Sequence, residues 1–221
     1  MVMHGQFCAV ARTQDLLGGR WTLLVVRELL CGARRFNDIR RGIPRISRTI
    51  LSERLQALAA AGVVRRGEGA HGPEYDLTEA GRELMGIVQA LGVWGQRWLP
   101  RHAEREEIDL DPLLLDMQRR VRPDALPAEP FVIRFALKDR PTRFLLLKDN
   151  DIASCASNPG FAERLALGGP LAALVGWWRG DTTFAEARRR GLALSGDKAL
   201  VAAFPRWFDR YLFAGVAAAA S

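Results

Sequence analysis

The chain has 221 residues, 48% of them hydrophobic and 26% charged, which is the composition of a folded protein and excludes a disordered one. Its longest stretch without a charge, residues 165–178, is too short and too rich in glycine and proline to cross a membrane, so we expect no membrane partner. The net charge of +7 is uneven, because residues 1–105 carry 16 arginines against 10 acidic residues, whereas residues 106–221 carry 16 basic and 15 acidic residues. A basic half joined to a nearly neutral half predicts a nucleic-acid-binding domain with an appended module.

The first half of the chain begins with a series of short helices. Apolar residues recur at helical spacing over residues 14–30, with a break at Gly18 and Gly19, and a shorter helix is predicted over residues 36–41. Ser47 then stands where a helix running to about residue 61 begins. A serine side chain at that position satisfies the free amides of the first helical turn, so we predict Ser47 as its N-cap.

A basic hairpin and a long helix follow. Residues 63–66 and 75–77 are predicted to be two strands around a glycine-rich turn. The helix predicted over residues 79–99 carries Leu84, Leu91, Trp94 and Trp98, more apolar surface than one small domain usually covers. We therefore predict that this helix, with the N-terminal segment, forms a homodimer.

The second half predicts an α+β domain. Residues 103–130 turn acidic and hold four prolines, so we interpret them as a connector with a short helix near residues 113–119. Beyond it, strands are predicted over residues 131–137, 143–147 and 151–157, and helices near residues 160–167, 169–179, 183–191 and 198–213.

Five segments of the first half occur in the order and spacing of a known family; they are residues 17–24, 27–30, 34–39, 46–55 and 75–81. On these segments the chain resembles the HxlR family of bacterial regulators, relatives of the MarR type. The resemblance implies a winged helix-turn-helix domain that binds double-stranded DNA as a dimer. We expect no cofactor.

The resemblance also assigns DNA-contacting residues. It places the N-terminus of the capped helix in the major groove and the hairpin beside the adjacent backbone. The predicted contacts are Arg35, Arg45, Ser47, Arg48, Thr49, Ser52, Arg65 and Arg66. The alternative is that these arginines form an ordinary solvated surface.

The three cysteines, at positions 8, 31 and 155, predict neither a disulfide framework nor a metal pair. Cys8 stands where many HxlR relatives carry an N-terminal cysteine, and in some relatives that thiol senses oxidants or electrophiles, which makes Cys8 a candidate redox residue. No basic residue adjoins it, so a buried structural cysteine is the favoured interpretation. Cys31 and Cys155 are interpreted as core residues.

Residues 131–213 resemble, more loosely, the sterol-carrier-protein-like domain, an α+β fold with an apolar tunnel. The segments that carry this resemblance are residues 151–153, 177–187 and 192–200. It implies binding of an apolar small molecule by Phe161, Leu174, Trp177, Trp178, Phe184 and Trp207. The alternative is that these side chains are only the core of the domain.

Together these patterns predict an α+β protein with a winged helix-turn-helix DNA-binding and dimerisation domain at residues 1–102, a connector at 103–130 and a smaller sterol-carrier-like domain at 131–221. The predicted function is a dimeric regulator that binds a pseudo-palindromic operator and responds to an apolar ligand or to thiol oxidation. The sequence holds neither a catalytic constellation nor a metal motif, so we expect no enzyme. The start of the chain lacks a secretion signal, which predicts the cytoplasm. The alternative function is an apolar-ligand carrier or protein-interaction module that has lost DNA binding.

Overall fold

A computed structural model describes residues 4–101, 108–148 and 151–219 of the chain. Contacts between residues divide the chain into two units, Met1–Val93 and Trp94–Ser221. Each unit has its own cluster of buried apolar side chains. The domain boundaries predicted at residues 102 and 130 stay predictions, and residues 102–107 lie outside the described residues.

The first unit consists of helices followed by a hairpin. In chain order its elements are α1 (Ala9–Leu17), α2 (Thr22–Leu30), α3 (Phe36–Gly42), α4 (Arg48–Ala60), β1 (Val64–Gly69), β2 (Gly72–Leu77) and the first part of α5 (Glu79–Trp98). The strands β1 and β2 pair antiparallel, so that Val64 faces Leu77. This order is that of a winged helix-turn-helix, with α3 and α4 as the two helices of the motif and β1–β2 as the wing.

Helix α4 is fixed in the first unit by one apolar stripe. Leu51, Leu55 and Leu58 recur at the spacing that brings side chains to one helix face, and their exposure is 0%, 1% and 0%. Val25 and Val26 of α2 belong to the same buried cluster. The opposite face of α4 is thereby directed away from the core.

The second unit contains a mixed sheet and helices. After α6 (Leu110–Arg119) come β3 (Phe131–Leu137), β4 (Arg143–Leu147), β5 (Ala153–Cys155), β6 (Glu163–Gly169), α7 (Leu171–Arg179), α8 (Phe184–Arg189), β7 (Ala193–Gly196) and α9 (Lys198–Ala203). The strand order is β5-β4-β3-β6-β7. Strands β3 and β6 pair in parallel, whereas the other neighbours pair antiparallel.

Two elements at the start of this unit pack into it. Leu114 and Met117 of α6 are fully buried in its core, so part of the segment predicted as a connector contributes to that core. At the end of α5, Gln96 Nε2 donates to the Arg179 carbonyl over 3.1 Å. Arg101 Nη1 donates to the Asp181 carboxylate over 3.0 Å. The last turn of α5, and Arg101 just after it, are therefore held by hydrogen bonds within the second unit.

Two predicted helices of the second half differ from the structure. The helix predicted near residues 160–167 is wrong, because β6 is a strand that lies between β3 and β7 and alternates buried Leu165 and Leu167 with less buried neighbours. The helix predicted over residues 198–213 ends at Ala203 and gives way to a short 3₁₀ turn that contains Pro205. The sterol-carrier-like identity of the unit stays a prediction. Among the described residues, no helix combines the length and hydropathy needed to cross a membrane.

Candidate nucleic-acid interface

The start of α4 is capped by a side chain, as the sequence predicts. The Ile50 N–H donates to Ser47 Oγ over 3.2 Å, and Ser47 has extended backbone angles typical of an N-cap. Arg48 and Thr49 are exposed in the first turn, and Ser52, one turn later, is half-buried. The first turn of α4 therefore presents a guanidinium and a hydroxyl to solvent beside a helix N-terminus, which favours anions.

Contacts between α2 and the end of α3 stabilise the helix-turn-helix motif. The Glu28 carboxylate is buried, and Arg27 Nη2 donates to it over 2.7 Å and to the Gly42 carbonyl over 3.2 Å. Gly42 ends α3, and a Cβ at that position would overlap with the Glu28 carboxylate. At the other side of the motif, Arg54 Nε donates to the Arg20 carbonyl over 3.2 Å, which ties α4 to the turn before α2.

The wing is joined to the segment before α3. The Tyr75 N–H donates to the Arg34 carbonyl over 2.8 Å, and Arg35 forms an isolated antiparallel bridge with Glu74. Arg35 Nε lies 3.7 Å from Glu74 Oε1. Arg34 forms an ion pair with Asp76. The sequence alone does not predict these pairings, since they depend on a backbone bridge between residues that are far apart in the chain.

The predicted arginines differ in their electrostatic surroundings. Arg65 is exposed and lies 4.0 Å from Asp76 Oδ2, so it and Arg35 both face carboxylates of β2. Arg48 and Arg66 are also exposed, and among the described residues neither has an ion-pair partner. Arg45 is exposed as well. Arg48 at the start of α4 and Arg66 on the wing thus differ from Arg35 and Arg65 in having no acidic ion-pair partner among the described residues.

The residues predicted to bind an apolar ligand have two different locations. Leu174, Trp177, Trp178 and Trp207 are buried in the core of the second unit, and the Trp177 and Trp178 rings meet edge to face with centroids 5.8 Å apart. Phe161 is half-buried, and Lys148 Nζ lies 5.8 Å from the centre of its ring. Phe184 borders an open cavity of about 600 Å³. Of the six, the cavity lining includes Phe184 alone.

The cysteines differ from the favoured interpretation. Cys8 is exposed, as is Cys31, whereas Cys155 is half-buried. Cys8 occupies the N-cap position of α1, and the backbone N–H groups of Ala11 and then Val10 lower the pKa of its thiol, although its side chain forms no cap hydrogen bond. The interpretations of Cys8 as a buried cysteine and of Cys31 as a core residue are therefore wrong. The signal that was missed is the helix N-terminus, which stabilises a thiolate without a basic neighbour.

Comparisons with known proteins identify the relatives of the first unit. A family model described as HxlR-like helix-turn-helix matches residues 16–103. An uncharacterized HTH-type transcriptional regulator of Mycobacterium tuberculosis is 43% identical over 96 residues, which are 42% of this chain and 60% of that protein. The chain thus spans about three fifths of the length of this relative. The regulator YvaP of Bacillus subtilis is 39% identical over 88 residues, which are 38% of this chain and 82% of YvaP.

Solved structures with similar sequences are also regulators. The redox regulator HypR in its reduced form is 36% identical, covers 40% of this chain and 91% of its own, and has a TM-score of 0.38. The reduced form of YodB from B. subtilis is 33% identical, covers 41% of this chain and 93% of its own, and has a TM-score of 0.37. The curated relatives are named as transcriptional regulators and not as enzymes. Because the match to YvaP extends over most of that protein, the chain belongs to the HxlR-like helix-turn-helix family.

Proposed function

We propose that this chain is a transcription regulator that binds duplex DNA through the start of α4 and the β1–β2 wing. The observation that carries the proposal is the capped first turn of α4, where Arg48 and Thr49 are exposed. Among the described residues, no acidic side chain forms an ion pair with Arg48. A helix N-terminus with these side chains suits the major groove, where arginine contacts guanine and hydroxyls contact bases or phosphates.

Within this proposal the predicted residues have different roles. Arg48, Thr49 and Ser52 contact base edges and nearby phosphates, with Ser47 and Arg45 flanking them. Arg65 and Arg66 neutralise phosphates beside the wing, a contribution that depends on counterion release and not on sequence. Arg35 and Arg65 also face Glu74 and Asp76, so they contribute less to affinity than Arg66 does.

A homodimer forms part of the same proposal. Ile87, Leu91, Trp94 and Trp98 recur at i, i+4, i+7 and i+11 on α5, and all four are between 46% and 59% exposed. Phe7 and Val10, at the start of the chain, are exposed as well. An exposed apolar stripe of this length supports self-association. A two-fold dimer places two recognition helices about 34 Å apart, which fits a pseudo-palindromic operator.

The second unit and Cys8 are proposed to sense the signal. The cavity beside Phe184 supports an apolar-ligand module, and the exposed N-terminal thiol supports redox control. The cytoplasmic location belongs to this proposal, because a regulator must reach the chromosome. The alternative function, a ligand carrier or interaction module without DNA binding, shares the second unit but needs no basic surface on α4 and the wing.

Selection of bound genomic fragments, followed by affinity measurement on the enriched sequence, separates the two functions. Arg48→Ala is expected to cost about 1–3 kcal/mol on the operator and to relax its sequence preference. Arg66→Ala is expected to weaken binding to all DNA sequences by the same factor and to reduce the salt dependence of binding. Arg190→Ala, an exposed arginine of the second unit, is the control. Absence of enriched fragments, or full operator affinity in an Arg48→Ala, Arg65→Ala double variant, contradicts the proposal.

A further inference from the structure

The cavity of the second unit lies between α8, β7 and α9. Its apolar lining includes Phe184 of α8, Leu194 of β7 and Val201 of α9, with Pro205 just beyond. Its volume of about 600 Å³ falls within the range of small-molecule sites in proteins. The cavity is open to solvent, and its volume is sufficient for a small molecule with an apolar body.

Two cations line the same cavity. Arg188 of α8 and Lys198 of α9 both border it and both are exposed. Among the described residues neither has an ion-pair partner. Both side chains are available to pair with a ligand of opposite charge.

The nearest acidic side chains in sequence are already engaged elsewhere. Asp197 Oδ2 accepts from Arg164 over 3.0 Å, and its Oδ1 accepts from the Ala199 N–H at the start of α9. Glu186 accepts hydrogen bonds from the backbone N–H and the hydroxyl of Thr183. These contacts lower the pKa of both carboxyl groups, which are ionised at neutral pH and directed to other partners. Neither lines the cavity, so its lining holds two cations and no acidic side chain.

We infer that this cavity binds an amphiphilic carboxylate, with the apolar body against Phe184, Leu194 and Val201 and the carboxylate at Arg188 and Lys198. The inference rests on the proposed ligand-binding role of the second unit and adds the location and charge of the ligand. It differs from the tunnel implied by sequence, whose Trp177, Trp178 and Trp207 fill the core. It does not depend on DNA binding.

A cluster of aromatic rings connects the cavity to the core. The Phe184 ring meets Trp177 edge to face at 5.2 Å and lies 5.7 Å from Phe204. Phe184 is also the first residue of α8 and lies between Thr183 and Glu186, which form the capping box of this helix. A ligand that contacts Phe184 therefore touches a ring that is held by the core and is not a mobile surface side chain.

The test is calorimetric titration of the full chain with decanoate, and with decan-1-ol and decylamine as neutral and cationic probes of equal length. Decanoate is expected to bind best, and its affinity is expected to fall as salt rises. Arg188→Gln and Lys198→Gln should each weaken decanoate about two- to fivefold, the range for exposed charge pairs, and leave decan-1-ol unchanged. Arg190→Gln, two residues from Arg188 and outside the lining, is the matched control. Ala202→Phe, at an exposed position of the lining, should block all three probes.

The possible outcomes distinguish this inference from the proposed ligand-binding role of the second unit, on which it rests. Equal binding of decanoate and decan-1-ol in every variant overturns the carboxylate specificity and retains an apolar-ligand module. Binding that Ala202→Phe does not affect, in a variant whose thermal unfolding matches the parent, overturns the location. Absence of binding by all three probes overturns both the inference and the proposed ligand role.

Discussion

The Ile50 N–H donates to Ser47 Oγ over 3.2 Å, and this bond fixes the first turn of the helix proposed to enter the major groove. Ser47 is exposed, so its hydroxyl lies at the surface where a phosphate would bind. Ser47 therefore has two separable roles, one in the stability of α4 and one in the charge of its N-terminus.

Substitutions at Ser47 are expected to separate these roles. Ser47→Ala removes the cap and should lower the free energy of unfolding by about 1 kcal/mol. Ser47→Asp keeps a capping oxygen and should retain stability within about 0.5 kcal/mol, but its carboxylate should repel DNA phosphates and weaken binding. Urea denaturation and operator titration measure the two effects. Undiminished operator affinity in Ser47→Asp would show that the start of α4 lies away from the DNA.

Alanine substitutions at two helical glycines are expected to change the stability of the chain in opposite directions. At Gly42 a Cβ would overlap with the buried Glu28 carboxylate, which Arg27 holds in place, so Gly42→Ala should destabilise the chain by about 1–3 kcal/mol. At Gly86, on α5, a Cβ meets no atom within 4 Å. Gly86→Ala should therefore stabilise the helix by about 0.5–1 kcal/mol. Urea midpoints of the two variants check the signs, and equal shifts would contradict the proposed packing of Glu28 beneath α3.

Structural features that depend on residues close in sequence were predicted better than features that depend on distant residues. The cap at Ser47, the stripe of Leu51, Leu55 and Leu58 and the presence of a hairpin after α4 are set by neighbouring residues, and the sequence predicted them. The turn predicted over residues 67–73 was too long, because the two strands continue to Gly69 and from Gly72. Strand β6 depends on pairing with β3 and β7, which are about 30 residues away on either side. Its apolar residues are compatible with either a helix or a strand until the partners are known.

The same principle applies to the candidate sites. Exposure of Arg48 follows from the helical pattern, but the pairing of Arg35 with Glu74 requires the bridge between the wing and the segment before α3. In the second unit, aromatic content did not distinguish core from cavity. Trp177 and Phe184 belong to one ring cluster, yet Trp177 is buried and Phe184 borders the cavity. The sequence also contains Pro205, which has no backbone N–H to donate and therefore disfavours continuation of the helix that was predicted over residues 198–213.

The exposed stripe of α5 is expected to form a dimer interface. A Trp94→Glu, Trp98→Glu double variant should be monomeric at micromolar concentration, because burying two carboxylates opposes association. Leu212→Glu changes another exposed apolar residue, 54% exposed, and should leave the parent dimer intact. Sedimentation velocity measures both. If the parent chain sediments as a monomer, the proposed dimer is contradicted. If Leu212→Glu dissociates the dimer as much as the Trp94→Glu, Trp98→Glu variant does, the location of the interface on α5 is contradicted.

Cys8 is expected to be the most reactive thiol of the chain. The N–H groups of Ala11 and Val10 at the start of α1 lower its pKa, so more of it is thiolate at neutral pH. Its alkylation rate plotted against pH should have a midpoint below that of an ordinary exposed cysteine. Cys31 is also exposed and serves as the internal comparison. Coincident midpoints for the two thiols would mean that the helix terminus does not activate Cys8.

If this thiolate controls regulation, its oxidation should change DNA binding. Phe7 and Val10, on either side of Cys8 in sequence, are 99% and 77% exposed and are part of the proposed dimer surface. A disulfide or other adduct at Cys8 alters that surface and thereby the spacing of the two recognition helices. Diamide treatment should therefore shift operator affinity of the parent and of Cys31→Ser, and should leave Cys8→Ser unaffected. An equal shift in Cys8→Ser would assign the response to another thiol, and no shift in the parent would exclude thiol control of DNA binding.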